Sequence, residues 1–339
     1  MTFIPSLFLP VAFLLSLLLP AAISLQTQPD KTGNKTEKII GADISFLPQL
    51  EAEGIKFSVN GKQDDAIMIL KHYGFNYIRL RLFVNPQADS GYSKEGYCGL
   101  PQTIAMAKRI KQAKMKWLLD FHYSDNWADP QKQFKPEKWK DLSFPQLTQT
   151  VQDYTHHVIS ELASQGVLPD MVQVGNEINH GMLWPDGSYS HPDNLATLIK
   201  AGIAGVKEVA PDVKIMLHIA LGGQQEESTQ WLDAMMARGV TFDVIGESYY
   251  PQWHGTIADL QQNLAYLATH YEQEVIVAEY TQHKMEVNDI AFNLPDGNMK
   301  GTFIWEPLNT WEFIFDKQGN AVDSLIKLYP VIAKKYNVK

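Results

Sequence analysis

Asp170-Met171-Val172-Gln173-Val174-Gly175-Asn176-Glu177 starts as a short apolar run and ends abruptly in Asn-Glu, followed by a loop carrying His180, Met182 and Trp184. A carboxylate at the C-terminal tip of a buried strand, beside an amide and near an aromatic ring, suits cleavage of a glycosidic bond. The acid reaches the leaving oxygen while the amide holds a sugar hydroxyl. A glutamate that only caps the next turn has the same local sequence, so the rest of the chain must decide.

A second glutamate, Glu279, stands near the end of another apolar run, Glu274–Tyr280. Two carboxylates facing each other across a cleft divide into an acid/base, here Glu177, and a nucleophile, here Glu279. A separation of roughly 5 Å implies a retaining double displacement, and a wider gap implies inversion. Asp120, Asp125, Glu247 and Glu306 compete for these roles, with Glu247 readable as a secondary acid. An arginine beside a carboxylate nucleophile keeps it ionised; Arg79 or Arg81 could do so, and either could instead brace strands. Asn176 could hold a sugar 2-hydroxyl, and His122, Tyr249 or Tyr250 could orient the nucleophile or bind hydroxyls. His218 and His254 read more simply as packed histidines. Trp127, Trp184, Trp253, Trp305 and Trp311 fall in loops after apolar runs, where sugar C–H faces stack on aromatic planes. The candidate binding set is therefore Asp43, Arg79, Arg81, His122, Asp125, Trp127, Asn176, Trp184, Tyr249, Tyr250, Trp253 and Trp305.

Short apolar strands alternating with amphipathic helices must position these groups. The patterning predicts strands at 39–45, 76–84, 115–123, 170–177, 213–220, 242–249, 274–280 and 301–305. Helices are expected at 64–73, 101–114, 143–164, 194–209, 228–237, 256–271, weakly at 285–292, and at 322–336. Eight units in one direction, with strands too apolar to face water, predict a single-domain (β/α)8 barrel over residues 39–339. An open doubly wound sheet is the alternative, but no glycine-rich dinucleotide turn follows any strand. Barrel active sites form at the C-terminal strand ends, and nearly every predicted strand ends in polar, ionisable or aromatic residues.

The 339 residues, 45% hydrophobic and 20% charged, are enough for one large core. A net charge of -9 argues against nucleic acid or an anionic membrane as partner, whereas a neutral polysaccharide is indifferent to it. Residues 1–24 read as a signal peptide, with an uncleaved anchor as the alternative, and 25–38 as a disordered leader. One cysteine, Cys98, permits no intrachain disulfide and reads as a packed loop residue. An exported, bacterial setting fits, as does a monomer, and no cofactor or metal motif stands out.

Several of these segments resemble glycoside hydrolase family 53, the endo-β-1,4-galactanases. They are Leu119-Asp120-Phe121-His122-Tyr123-Ser124-Asp125-Asn126-Trp127-Ala128-Asp129-Pro130, Val174-Gly175-Asn176-Glu177-Ile178-Asn179, Gly181–Gly187, Ser248-Tyr249-Tyr250-Pro251, Trp253-His254-Gly255, Gly41-Ala42-Asp43 and Arg79-Leu80-Arg81 with Asn85-Pro86. The resemblance covers most of the chain from about Gly41. It implies a retaining barrel hydrolase that cuts β-1,4-galactan, the type I arabinogalactan side chains of pectin, with Glu177 as acid/base and Glu279 as nucleophile. The chain departs from the family pattern in Tyr280-Thr281-Gln282-His283, where the family usually reads Thr-Ala-Tyr-Pro. It also has a short segment between strands seven and eight, and Glu247 where the family usually has an apolar residue. The calcium that some members bind in late loops is not carried over. Two readings compete: a barrel glycosidase acting on another β-linked glycan, and a non-catalytic glycan-binding surface protein.

Overall fold

Eight parallel strands close on themselves in a computed structural model that describes residues 1–2, 37–294, 298–308 and 314–339. They are β1 (Ile39–Asp43), β2 (Tyr77–Leu82), β3 (Lys116–Phe121), β4 (Met171–Val174), β5 (Lys214–Ile219), β6 (Val244–Tyr249), β7 (Glu274–Tyr280) and β8 (Met299–Trp305). Each pairs in parallel with its sequence neighbours, and β8 returns to β1. The helices between them are α1 (Ala66–His72), α2 (Leu100–Gln112), α3 (Phe144–Ser164), α4 (Pro192–Lys207), α5 (Gln225–Met236), α6 (Ile257–His270), α7 (Lys284–Asn293) and α8 (Leu328–Tyr336). This is the expected (β/α)8 barrel. Residues 36–339 form one unit. The expected signal peptide (1–24) and leader (25–38) fall almost wholly outside the described residues, and Trp311 lies outside them too. Among the described residues no helix is long and apolar enough to cross a membrane.

Strand alternation sorts the side chains into two cores. Ile39, Tyr77, Leu118, Met171, Met216, Val244, Ile276 and Phe303 point inward and fill the barrel floor. Their sequence neighbours, such as Ile40, Ile78, Leu119, Val172, Ile245 and Ile304, point outward against the helices. The floor is shaped to one residue: a Cβ on Gly41 would collide with the Phe303 ring. Above the floor, inward positions switch to Arg79, Asp120, Gln173, His218, Ser248 and Glu279, all buried. The apolar floor closes one end, and the polar layer marks the other as the working face.

Most boundaries fall within a few residues of expectation, and three of the differences have a local cause. Strand β4 stops at Val174 rather than Glu177, because Gly175 adopts φ +86° and Glu177 φ +50°. The last predicted helix is two, Asp323–Ile326 and α8, interrupted at Lys327. Pro330 explains the break, since it lacks the N–H that would reach the residue-326 carbonyl, against which its ring would also clash. Strand β8 begins two residues early because it passes through Gly301 at φ +144°, where a Cβ would strike the Ile39 backbone.

Gly41→Ala should force Phe303 from its seat and destabilise the fold by about 1–3 kcal/mol, the usual cost of overpacking a filled core. Urea unfolding measures this, and an unchanged midpoint would show that the floor is loosely packed.

Candidate active site

Arg79, on β2, points into the barrel and donates from every nitrogen of its guanidinium. Nη1 reaches Glu279 Oε1 at 2.7 Å and Asp43 Oδ2 at 2.9 Å. Nη2 reaches Asp120 Oδ2 and Asn176 Oδ1, both at 2.8 Å, and Nε reaches Gln173 Oε1 at 3.2 Å. Burial opposes its charge, but Asp120, Glu279 and Asp43 outweigh that and hold it protonated. Arg81 does something else. Its guanidinium lies 4.4 Å from the ring centroids of both Phe46 and Trp127 and pairs with Glu306 Oε1 at 2.6 Å. Of the two candidate arginines, Arg79 alone meets Glu279.

Glu279 reaches the mouth through a fault in its strand. Ile276 and Ala278 face inward and Val277 faces outward, so regular alternation would turn Glu279 toward the helices. The β6–β7 register shifts there, however, with Glu247 opposite Val277 and Ser248 opposite Glu279. The extra residue turns Glu279 inward and Tyr280 outward, as bulges at barrel rims commonly do. Glu279 then receives Arg79 on one oxygen and the Tyr250 hydroxyl on the other, at 2.8 Å.

Glu177 is held by backbone conformation. Gly175 and Glu177 both take left-handed angles, a Cβ on Gly175 would fall 2.7 Å from Ile178, and a 3₁₀ turn at Ile178–His180 follows. The buried amide of Gln133 donates to the Asn176 carbonyl at 2.8 Å and pins this turn. The Glu177 carboxyl has Ser248 Oγ at 2.6 Å from Oε1.

The electrostatics divide the pair. Burial, and secondly the charge of Glu279, push the Glu177 carboxyl well above the usual carboxylate range. Burial also pushes Glu279 up, but Arg79 and the Tyr250 hydroxyl both favour its anion. Glu177 is therefore the more readily protonated of the two and Glu279 the more readily ionised. Such a pair can donate a proton on one side of a bond and a nucleophilic oxygen on the other.

Other candidates separate clearly. Asn176 sits beside Glu177 with its amide nitrogen donating to the Ala128 carbonyl at 2.9 Å. Tyr250 is at the centre, whereas Tyr249 faces the outer layer and donates to Gly255 O at 3.1 Å. Asp43 is fully buried between the two arginines and Ser45, so it braces the cationic layer rather than meeting a sugar. His122 spends Nε2 on Asp120 and Nδ1 on the Ala128 N–H, and does not touch Glu279. Asp125 gives both oxygens to backbone, the Asn85 and Glu137 N–H groups, and organises loops. His254 likewise accepts from the Tyr250 N–H at 3.0 Å. Trp127, Trp184 and Trp305 are half-buried and Trp253 is 62% exposed, as stacking surfaces must be. Cys98 is buried, its thiol pushed up to about 12 chiefly by burial, which suits packing and not nucleophilic attack.

Sequence reasoning missed Ser248, Gln173 and Gln133, whose roles depend on contacts across strands. The alternation Gly246, Ser248, Tyr250 was the available signal for Ser248. It also missed Phe134, 60% exposed and bridged through backbone to Trp184.

Glu247 is not a secondary acid of the mouth. It faces outward between α5 and α6, near the Ser228 hydroxyl at 2.9 Å, the Leu221 N–H at 3.1 Å and the Asn263 amide at 3.4 Å. Burial raises its carboxyl to about 8 against these donors. The folded state then holds a proton that the unfolded chain releases near pH 4.5, so stability falls as pH rises from about 4.5 to 8 and is level above. Glu247→Gln should lack that fall, so urea unfolding at pH 5.5 and pH 8 should show wild type losing a few kcal/mol relative to the variant. Parallel losses in the two proteins would contradict this assignment.

The Glycosyl hydrolase family 53 model matches residues 39–294. An uncharacterised Niallia circulans protein encoded 5′ of bgaB is 44% identical over 250 residues, 71% of this chain and 66% of that protein. The arabinogalactan endo-β-1,4-galactanase A of Aspergillus niger is 35% identical over 264 residues, 75% of this chain and 73% of its own. The solved GH53 catalytic domain of Ignisphaera aggregans superposes with a TM-score of 0.81 at 32% identity, over 87% of this chain and 96% of that one. Matched over three quarters of its length, this chain belongs to glycosyl hydrolase family 53.

Proposed function

We propose that this chain is an exported, monomeric endo-β-1,4-galactanase that cleaves galactan with retention, using Glu279 as nucleophile and Glu177 as acid/base. The observation that carries the assignment is the unequal treatment of two buried carboxyls. Glu279 is gripped by Arg79 and Tyr250, while Glu177 has the Ser248 hydroxyl as its partner. The substrate comes from relatives: the Aspergillus niger protein is an arabinogalactan endo-β-1,4-galactanase.

In the first step the Glu177 O–H proton passes to the glycosidic oxygen as a Glu279 oxygen attacks the anomeric carbon. The C–O bond breaks, the leaving chain departs as an alcohol, and an ester joins sugar to Glu279. Glu177, now anionic, takes a proton from water, whose oxygen attacks the same carbon and releases Glu279. Arg79 stabilises the returning charge on Glu279. Asn176, beside Glu177, is suited to the sugar 2-hydroxyl. The aromatic set of Trp127, Trp184, Trp253 and Trp305 offers faces along which a chain can lie, so internal bonds are the natural target.

Linear β-1,4-galactan should be cut to short oligosaccharides by wild type, whereas Glu177→Ala and Glu279→Ala should each lose at least about a thousandfold in kcat/KM. Size-resolved products test this. Near-normal turnover by either variant removes that residue from its role, and preference for mannan or cellulose over galactan removes the substrate assignment.

A further inference from the structure

The polar layer contains a chain of hydrogen bonds whose direction is fixed at one end. Arginine is a donor at every nitrogen, so the Asn176 atom 2.8 Å from Arg79 Nη2 must be the oxygen. The Asn176 nitrogen faces the Ala128 carbonyl, which agrees. His218 Nδ1 lies 2.9 Å from that same Asn176 oxygen, so Nδ1 must carry the imidazole hydrogen. Gln173 Nε2 is also 3.1 Å from Nδ1, but it has two hydrogens and has Asp120 Oδ1 at 2.6 Å and the Gly175 carbonyl at 3.1 Å to receive them. Burial, and secondly Arg79, hold His218 neutral, so its other nitrogen is bare. Nε2 lies 2.8 Å from Ser248 Oγ and accepts the Ser248 hydroxyl hydrogen. Ser248 Oγ, 2.6 Å from Glu177 Oε1, is then left only as an acceptor.

From this polarity we infer that Asn176, His218 and Ser248 transmit the donor character of Arg79 to Glu177 and keep Glu177 protonated while the same arginine keeps Glu279 ionised. Ser248 and His218 are positioning residues for the acid, an inference that rests on the reading of Glu177 as acid/base. A lone serine beside a carboxylate ordinarily donates to it and favours the anion. Here the histidine behind Ser248 reverses that sense. When Glu177 has given up its proton, Ser248 must either desert His218 or oppose the carboxylate with a lone pair. Either arrangement drives the proton back onto Glu177 from water in the second step. The charged and titratable groups facing Glu177 are Glu279, Asp129, Arg79 and Tyr250, and those facing His218 are Arg79, His122 and His254.

The test is the alkaline limb of the kcat/KM profile on linear β-1,4-galactan, which reports ionisation of the acid in the free enzyme. Wild-type turnover of galactan is required by the functional reading itself, and its absence would end that reading independently. With wild type active, Ser248→Ala should move the alkaline limb to lower pH by about half to one unit, because the protonated form loses its acceptor. Ser248→Thr should restore it. A limb that moves to higher pH, or stays fixed while kcat falls, overturns the inference. Histidine ¹⁵N shifts of the wild-type enzyme give a second reading that needs no Ser248 variant, with His218→Gln identifying the signal. A neutral Nδ1–H ring supports the chain, and an Nε2–H ring overturns it.

Discussion

One buried guanidinium organises this molecule. Removing an arginine from water is costly, and the cost is offset only when its donors are met by well-placed acceptors. Arg79 meets Glu279, Asp43, Asp120, Asn176 and Gln173, which come from or directly follow β7, β1, β3 and β4. A side chain from β2 thereby ties the upper ends of strands on both sides of itself. The same contacts that stabilise the cation fix the positions of Glu279 and of Asn176, the residue beside Glu177. Stability and chemistry share one network, so the polar layer tolerates little rearrangement.

Backbone irregularities supply what the regular barrel cannot. Even alternation would bury Glu279 among the helices, and a bulge in β7 turns it to the mouth. A straight continuation of β4 would carry Glu177 along the strand direction, and two left-handed residues swing it over the cleft instead. Left-handed angles are unfavourable for a side chain as long as glutamate. Gln133 bonding to the Asn176 carbonyl and the clasp of Ile178 on Gly175 help to hold that conformation in place. The floor contributes rigidity: Phe303 packed into the space left by Gly41 leaves no room for the strands to slide.

The architecture and the Asn176-Glu177 strand end were legible in the chain because each depends on local signals. Runs of apolar residues at regular spacing announce buried parallel strands, and Asn-Glu at a strand end announces a site. What was illegible depends on contacts between distant residues. Nothing local distinguishes Arg79 from Arg81, yet one meets Glu279 and the other is sandwiched by Phe46 and Trp127. Tyr249 and Tyr250 are adjacent and chemically identical, and only strand parity separates the outer one from the inner one. Glu247, one residue from Ser248, fell to the same parity: it faces helices while its neighbour faces Glu177. Parity could have been read from the pattern, but the bulge that rescues Glu279 from it could not, since an extra residue in a strand leaves no mark in composition.

In the proposed mechanism an arginine-held Glu279 attacks the sugar while Glu177 supplies and then recovers a proton, which requires two inversions at one carbon. The most direct measurement is the configuration of the first reducing ends released by wild type from linear β-1,4-galactan, followed by proton NMR before mutarotation equilibrates them. The β-anomer should appear first and the α-anomer only later. Initial release of the α-anomer would mean that water attacks directly, leaving Glu279 as a base and not as the nucleophile.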